Sequence, residues 1–234
     1  MTPREVLKLY EDNVRRIFPR SLRRRLGVSI RGTVLPVPTH PYSQRGKEEV
    51  LEERFGRNTL TSVTKNHNEA IAAAVARRHH PGLPDKLRIF DTRQGRSHSL
   101  VEVLKASCCA PIYFDGPTKI GDTDYIDGGV GGNCPLAQAI PRMKEIARLD
   151  EGLTSLHTVL SIAPPRKVRK EGKKGLTEWL AWFPLEMEDG YPVFASQETM
   201  YPETTFLRIS PQSEETKRYK TDCWDINDMV ESMR

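Results

Sequence analysis

No run of eighteen consecutive apolar residues occurs in this chain, so no membrane-spanning helix is expected. Behind the charges of the first residues there is no apolar h-region, and no secretory signal is expected. Cysteine is scarce: Cys108, Cys109, Cys134 and Cys223 are the only four. None stands in C-x-x-C spacing and no paired-histidine spacing accompanies them, which argues against a metal centre. Reduced thiols in a cytosolic setting are the simplest reading. The adjacent His79 and His80 would point apart on a strand or a helix, so they are poor joint ligands. Adjacent Cys108 and Cys109 read as small apolar fillers. Aromatic residues make up only 7% of the chain and do not interleave with its basic stretches. No nucleic-acid module is recognisable, and a nucleic-acid partner is not expected.

What is present is 234 residues, enough for one domain with a real core, or one domain plus a tail. Hydrophobic residues at 37% are few for a globular chain and charged residues at 29% are numerous. The net charge of +5 is unevenly spread. Residues 1–31 hold nine Lys/Arg against three acids, and residues 166–174 six against one. Residues 175–234 hold five Lys/Arg against twelve acids. Arg20, Arg23, Arg24 and Arg25 form the densest basic group. Such a group either attracts anionic lipid headgroups, at about 1 kcal/mol per residue near the surface, or is a solvated helix end, the commoner fate.

Hydrophobic spacing places the first helix. Val6, Leu9, Tyr10, Val14 and Ile17 recur at helical intervals, with Thr2 as cap and Pro3 in the first turn. Residues 32–46 read as a Pro/Gly loop, and Glu48 to Phe55 as a short helix stopped by Gly56. Leu87 to Phe90 reads as a strand. Leu100 to Ser107 reads as a helix that turns Val101, Leu104 and Cys108 inward. A helix follows Pro135, its apolar stripe being Leu136, Ala139, Ile140, Met143 and Ile146, and Pro141 should kink it. Leu156 to Ile162 has the continuous apolar character of a buried strand. Thr204 to Ile209 is another strand, and Asp225 to Met233 a last helix. Leu176 to Phe183, with Trp179 and Trp182, is a short amphipathic segment that either packs in a core or lies at a membrane surface.

The chemistry concentrates in Tyr125-Ile126-Asp127-Gly128-Gly129-Val130-Gly131-Gly132-Asn133-Cys134-Pro135. One carboxylate, Asp127, ends an apolar run and faces a loop in which Val130 is the only side chain between Gly128 and Gly132. Glycine permits close approach of backbone to another group. A carboxylate held there is a candidate general base. It is equally a candidate for a tight turn in which the Asp hydrogen-bonds its own backbone.

Ala106-Ser107-Cys108-Cys109-Ala110-Pro111-Ile112-Tyr113-Phe114, just upstream, resembles the A-S-x-A-A-P-x-Y-F segment of patatin-like phospholipases, including the calcium-independent phospholipase A2 group. The Asp127 stretch resembles their D-G-G-hydrophobic-x-x-N-N-P motif, in the same order and at a similar gap. The resemblance implies that Asp127 is the base of a Ser–Asp dyad, with Gly128, Gly129, Asn133 and Pro135 in the supporting loop. It extends weakly to Met1–Phe18, to Glu52–Gly56, to Leu87–Thr92, to Thr158–Ile162 and to Tyr201–Ile209. For Ile71 to Arg78 the alanines favour helix, whereas the resemblance places a strand there, and a strand is the expectation. The implied fold is α/β, a central mostly parallel sheet flanked by helices. The implied substrates are phospholipids or other acyl-ester lipids. No cofactor is implied.

Three departures qualify the resemblance. Cys134 stands where a second Asn is usual. Ala163-Pro164-Pro165 replaces a G-T-G. Neither a G-x-S-x-G nucleophile elbow nor a G-G-G-x-[RK]-G anion-binding loop occurs in the chain. Gly27-Val28-Ser29-Ile30-Arg31 comes nearest to the elbow, but Arg31 replaces its last glycine and Arg23-Arg24-Arg25 precedes it in place of an apolar strand. A serine hydroxyl needs a base, and a base needs a nucleophile. The expectation is therefore a hydrolase domain lacking its N-terminal part. Residues 1–210 would be its C-terminal two-thirds, residues 211–234 an acidic tail or helix. Such a chain is expected to be inactive alone, aggregation-prone, and cytoplasmic with peripheral membrane contact as an option. The alternative is a catalytically dead patatin-like lipid-binding or regulatory module.

Overall fold

The computed structural model describes residues 2–19, 42–64, 71–79, 86–93, 98–111, 113–149, 156–163 and 190–210. The Ser29 setting, the Arg20–Arg25 group, Arg166–Lys174, the Trp179/Trp182 segment and Asp225–Met233 lie outside these residues.

Helix α1 (Pro3–Ile17) starts as its sequence dictates. The Thr2 side chain accepts the Glu5 N–H and the Glu5 carboxylate accepts the Thr2 N–H, a capping box that satisfies two terminal donors. Helix α2 (Arg45–Phe55) ends at Gly56, whose φ of 52° lies in the left-handed region that glycine enters without penalty. The chain then forms a 3-10 turn (Leu60–Thr64), β1 (Ala73–Arg78), β2 (Leu87–Asp91), α3 (Leu100–Ser107), β3 (Thr118–Ile120) and β4 (Thr123–Asp127). Ser99 caps α3 by accepting the Glu102 N–H. Beyond the glycine loop come α4 (Leu136–Leu149), β5 (Thr158–Ile162), α5 (Gly190–Met200) and β6 (Thr205–Ile209).

The four-stranded sheet runs β2-β1-β4-β3 and every pairing in it is antiparallel. This differs from the mostly parallel sheet expected, although the α/β class holds. For two of the three pairings the physical reason is connection length: β3 and β4 are joined by a two-residue turn, and β1 and β2 by a short link, neither long enough for a parallel crossover. Parallel pairing is found between β5 and β6, which form a separate two-stranded sheet.

Helix α3 lies on the four-stranded sheet. Leu100, Val103 and Ala106, one face at intervals of three, pack with Ala76, Phe90, Ile120, Tyr125 and Leu60. Phe90 and Tyr125 meet edge-to-face with centroids 5.3 Å apart. A second cluster joins α1 to the segment after α3 through Val14, Phe18, Tyr42, Cys109 and Phe114. A third holds β5, β6, α4 and α5 together through Cys134, Ile140, Val159, Phe194 and Phe206.

Two expectations are corrected here. Of the two adjacent cysteines only Cys109 is a core filler; Cys108 is exposed, because α3 ends at Ser107 and the chain turns there. Strand β5 is not buried on both faces. Val159 faces the helices, while Leu160 and Ile162 with Leu207 and Ile209 of β6 are between 52% and 76% exposed. Helix α5 has no counterpart among the sequence expectations; its Gly190 and Pro192 fall in the first turn, where the backbone N–H groups have no intrahelical partner. Pro141 lies inside α4, which runs on to Leu149.

Candidate active site

Asp127 is the last residue of β4 and pairs in register with Ala76 of β1. Its backbone N–H donates to the Cys109 carbonyl at 3.0 Å, tying the strand end to the turn after α3. A second tie is the Ser107 hydroxyl, which donates to the Val75 carbonyl at 2.8 Å. A third is steric. A Cβ on Gly128 would fall on that same Val75 carbonyl, so the chain passes β1 at a distance only glycine allows. The two motifs, Ala106–Phe114 and Tyr125–Pro135, are separated by ten residues in sequence and thus converge on one strand of the sheet. Ser107, Cys109, Asp127 and Gly128 meet around Val75.

The carboxyl group of Asp127 is half-buried. Its Oδ1 accepts the Gly129 N–H at 2.6 Å, the backbone-capping turn that the sequence also allowed. Among the described residues no hydrogen bond reaches Oδ2. Burial pushes the carboxyl above its ordinary range, while the Gly129 N–H and then the Lys47 ammonium pull it back down. The carboxyl is therefore oriented through one oxygen.

The loop beyond is held by Arg77, whose guanidinium donates to the Val130 carbonyl at 2.9 Å and lies beneath Gly131. Gly128 and Gly129 adjoin Asp127, as the sequence requires. Asn133 and Pro135 do not. Asn133 is exposed and no hydrogen bond links it to Asp127 among the described residues. Pro135 opens α4, its carbonyl accepting the Ala139 N–H at 2.8 Å. Cys134 turns into the β5–β6 core, against Gly190. An apolar side chain therefore occupies the place of the expected amide.

Sequence reasoning missed two contributors. Arg77 gave no signal, being one of two arginines at the end of a strand. Lys47 gave none either, although it is among the most buried charged residues, at 5% exposure. Ser107 stood inside a quoted motif, yet its hydroxyl is committed to Val75 and it sits at a helix C-terminus. It is not on a strand-to-helix elbow. Among the described residues no serine hydroxyl hydrogen-bonds the Asp127 carboxyl. Nor does any group of three His, Cys, Asp or Glu among them have the arrangement to hold a metal ion. No helix among them is long and apolar enough to cross a membrane.

No curated protein matches this chain. A family model described as patatin-like phospholipase matches residues 1–140, which include α1 to β4, the glycine loop and the start of α4. That match takes in both motifs and covers more than half of the 234 residues, and the chain belongs to the patatin-like phospholipase family, a family of lipid acyl hydrolases.

Proposed function

We propose that Asp127 is the general base of a lipid acyl-ester hydrolase, acting on a serine that lies outside these 234 residues. The observation that carries this reading is the state of its carboxyl group. It is half-buried, fixed through one oxygen by Gly129, and raised in proton affinity by burial. Those are properties suited to a carboxylate that accepts a proton in a reaction. In the reaction the serine oxygen attacks the ester carbonyl as its proton passes to Asp127 Oδ2. Collapse of the tetrahedral adduct expels the lipid alcohol, which takes that proton. Water then cleaves the acyl-serine by the same route. Oxyanion donors would be supplied, as the family resemblance implies, by a glycine-rich anion-binding loop outside these residues.

The domain would extend past the matched residues to about residue 210 by its strand pattern, with 211–234 as an acidic tail. Its substrates are phospholipids or related acyl esters, reached by peripheral contact from the cytoplasm. Asp127→Asn, made in a protein that also carries the serine elbow, is expected to abolish esterase turnover, read with a chromogenic short-chain ester. Near-normal turnover would refute the base assignment. Turnover by the 234-residue chain itself would refute the absent partner.

A second reading, a patatin-like lipid-binding or regulatory module without turnover, draws support from Cys134, whose burial removes an amide from the loop. The coding sequence upstream of Met1 discriminates. A strand followed by G-x-S-x-G supports the hydrolase, and a gene lacking them supports the module.

A further inference from the structure

Lys47 is a buried ammonium on α2, and no carboxylate hydrogen-bonds it among the described residues. Its Nζ donates to the Lys105 carbonyl at 3.1 Å and to the Cys108 carbonyl at 2.9 Å. The same Nζ stands 4.1 Å from the centroid of the Phe114 ring. Two carbonyls and an aromatic face account for the three donors of an ammonium. Burying such a charge is costly, and a methionine would fill the space more cheaply. Packing alone does not explain the residue.

Its contacts give the explanation. Lys105 and Cys108 supply carbonyls at the C-terminal end of α3, where they have no helical donor and where the helix dipole favours a cation. The next carbonyl along the chain, that of Cys109, accepts the Asp127 N–H at 3.0 Å. Lys47 thus grips the peptide beside the one that fixes Asp127. The other charges nearby are engaged elsewhere. Lys105 pairs with Glu48 at 2.7 Å, and Asp115 Oδ1 accepts the Gln44 N–H at 2.8 Å. On β1, Arg77 is held at the Val130 carbonyl. The Cys108 and Cys109 thiols are the remaining titratable neighbours, and burial raises that of Cys109.

We infer that Lys47 is a positioning residue for Asp127, holding the turn that anchors the Asp127 backbone and placing a buried positive charge beside that turn. The inference rests on the reading of Asp127 as the base. Directions of proton affinity agree with it: burial lowers that of Lys47, and Cys109, Cys108 and Asp127 oppose the lowering. The Lys47 ammonium in turn lowers that of Asp127.

The test is a carboxyl-carbon NMR titration of Asp127 in the 234-residue chain, compared with Lys47→Arg, Lys47→Gln and Lys47→Met. Loss of the charge in the Gln and Met variants is expected to shift the Asp127 midpoint upward, and Arg to restore it. The Asp127 amide resonance is expected to move furthest in the Met variant, which also loses the donor. An Asp127 midpoint unchanged in Lys47→Gln overturns the inference. Should the Lys47 variants not fold, Asp127→Asn gives the reciprocal measurement. Coupling is mutual, so the Lys47 midpoint is expected to fall there, and a Lys47 midpoint that stays put overturns the inference equally. Neither titration depends on turnover. A catalytically competent Asp127→Asn enzyme would sink the base reading and leave the measured coupling standing.

Discussion

Replacing Arg142 by Met tests how the glycine loop is held at its far end. Arg142 of α4 donates Nε to Asp91 Oδ2 at 2.7 Å and an Nη to Asp91 Oδ1 at 3.3 Å. Asp91 ends β2 with 1% of its side chain exposed. The bond therefore fastens the helix that follows the loop to the sheet that precedes it. These hydrogen bonds to Asp91, and then one to Glu145, push the guanidinium still further above its ordinary range. In Arg142→Met the Asp91 carboxylate keeps, among the described residues, only the Arg93 N–H, at 2.9 Å. Leaving a buried carboxylate without its cation costs about 3–5 kcal/mol. Arg142 is 23% exposed, so water tempers the loss and the lower end of that range is expected. The Glu145 contact, 62% exposed on the acid's side, adds little. A loss of about 3 kcal/mol corresponds to a fall in Tm of roughly 6–12 °C in a chain of this size. Circular-dichroism melts and urea titrations of the single variant, and of Asp91→Leu/Arg142→Met, provide the assay. The double variant should recover most of the loss, because a buried pair replaced by apolar residues is often near neutral. A single variant within about 1 kcal/mol of wild type, below the range for a broken buried pair, would refute the reasoning. A double variant as unstable as the single one would refute it too.

Other consequences concern the site and the second sheet. Asp127→Asn should gain on wild type in Tm as pH rises. The folded carboxyl titrates above its ordinary value of 3.8, so the stability it contributes is full below that value and is lost as pH climbs through the folded midpoint. Melts at about pH 3 and about pH 7 check this, and a Tm difference (Asn variant minus wild type) that falls toward neutrality contradicts it. Gly128→Ala must push β4 away from the Val75 carbonyl, which already accepts Ser107, and should cost about 1–3 kcal/mol by overpacking; a neutral urea midpoint would count against the close approach. Leu160→Lys combined with Leu207→Glu places opposite charges across one rung of the exposed β5–β6 face. It is expected to raise the monomer fraction seen by size-exclusion light scattering with little change in Tm. A collapse in Tm would mean that the face is packed.

Local grammar alone determined much of this protein. Thr2, Pro3 and Glu5 specify the start of α1, Gly56 the end of α2, and the apolar runs of β2, β4 and β6 their existence, because caps and periodicity act over a few residues. The pairing of the two motifs also singled out Asp127 and its glycines as the candidate site, and the structure brings both motifs together at Val75. Tertiary structure decided the rest. The direction of each strand pairing depends on contacts between distant segments. Which of Cys108 and Cys109 is buried depends on where α3 stops against the sheet. Cys134 became a core residue only once β5 and β6 stood beside it. Lys47 is eighty residues from Asp127 in sequence, and nothing in a helix written Arg-Gly-Lys-Glu-Glu marks one lysine for burial. Its place above Phe114 and under the end of α3 follows from how α2 packs on α3, and that packing is set by the whole fold.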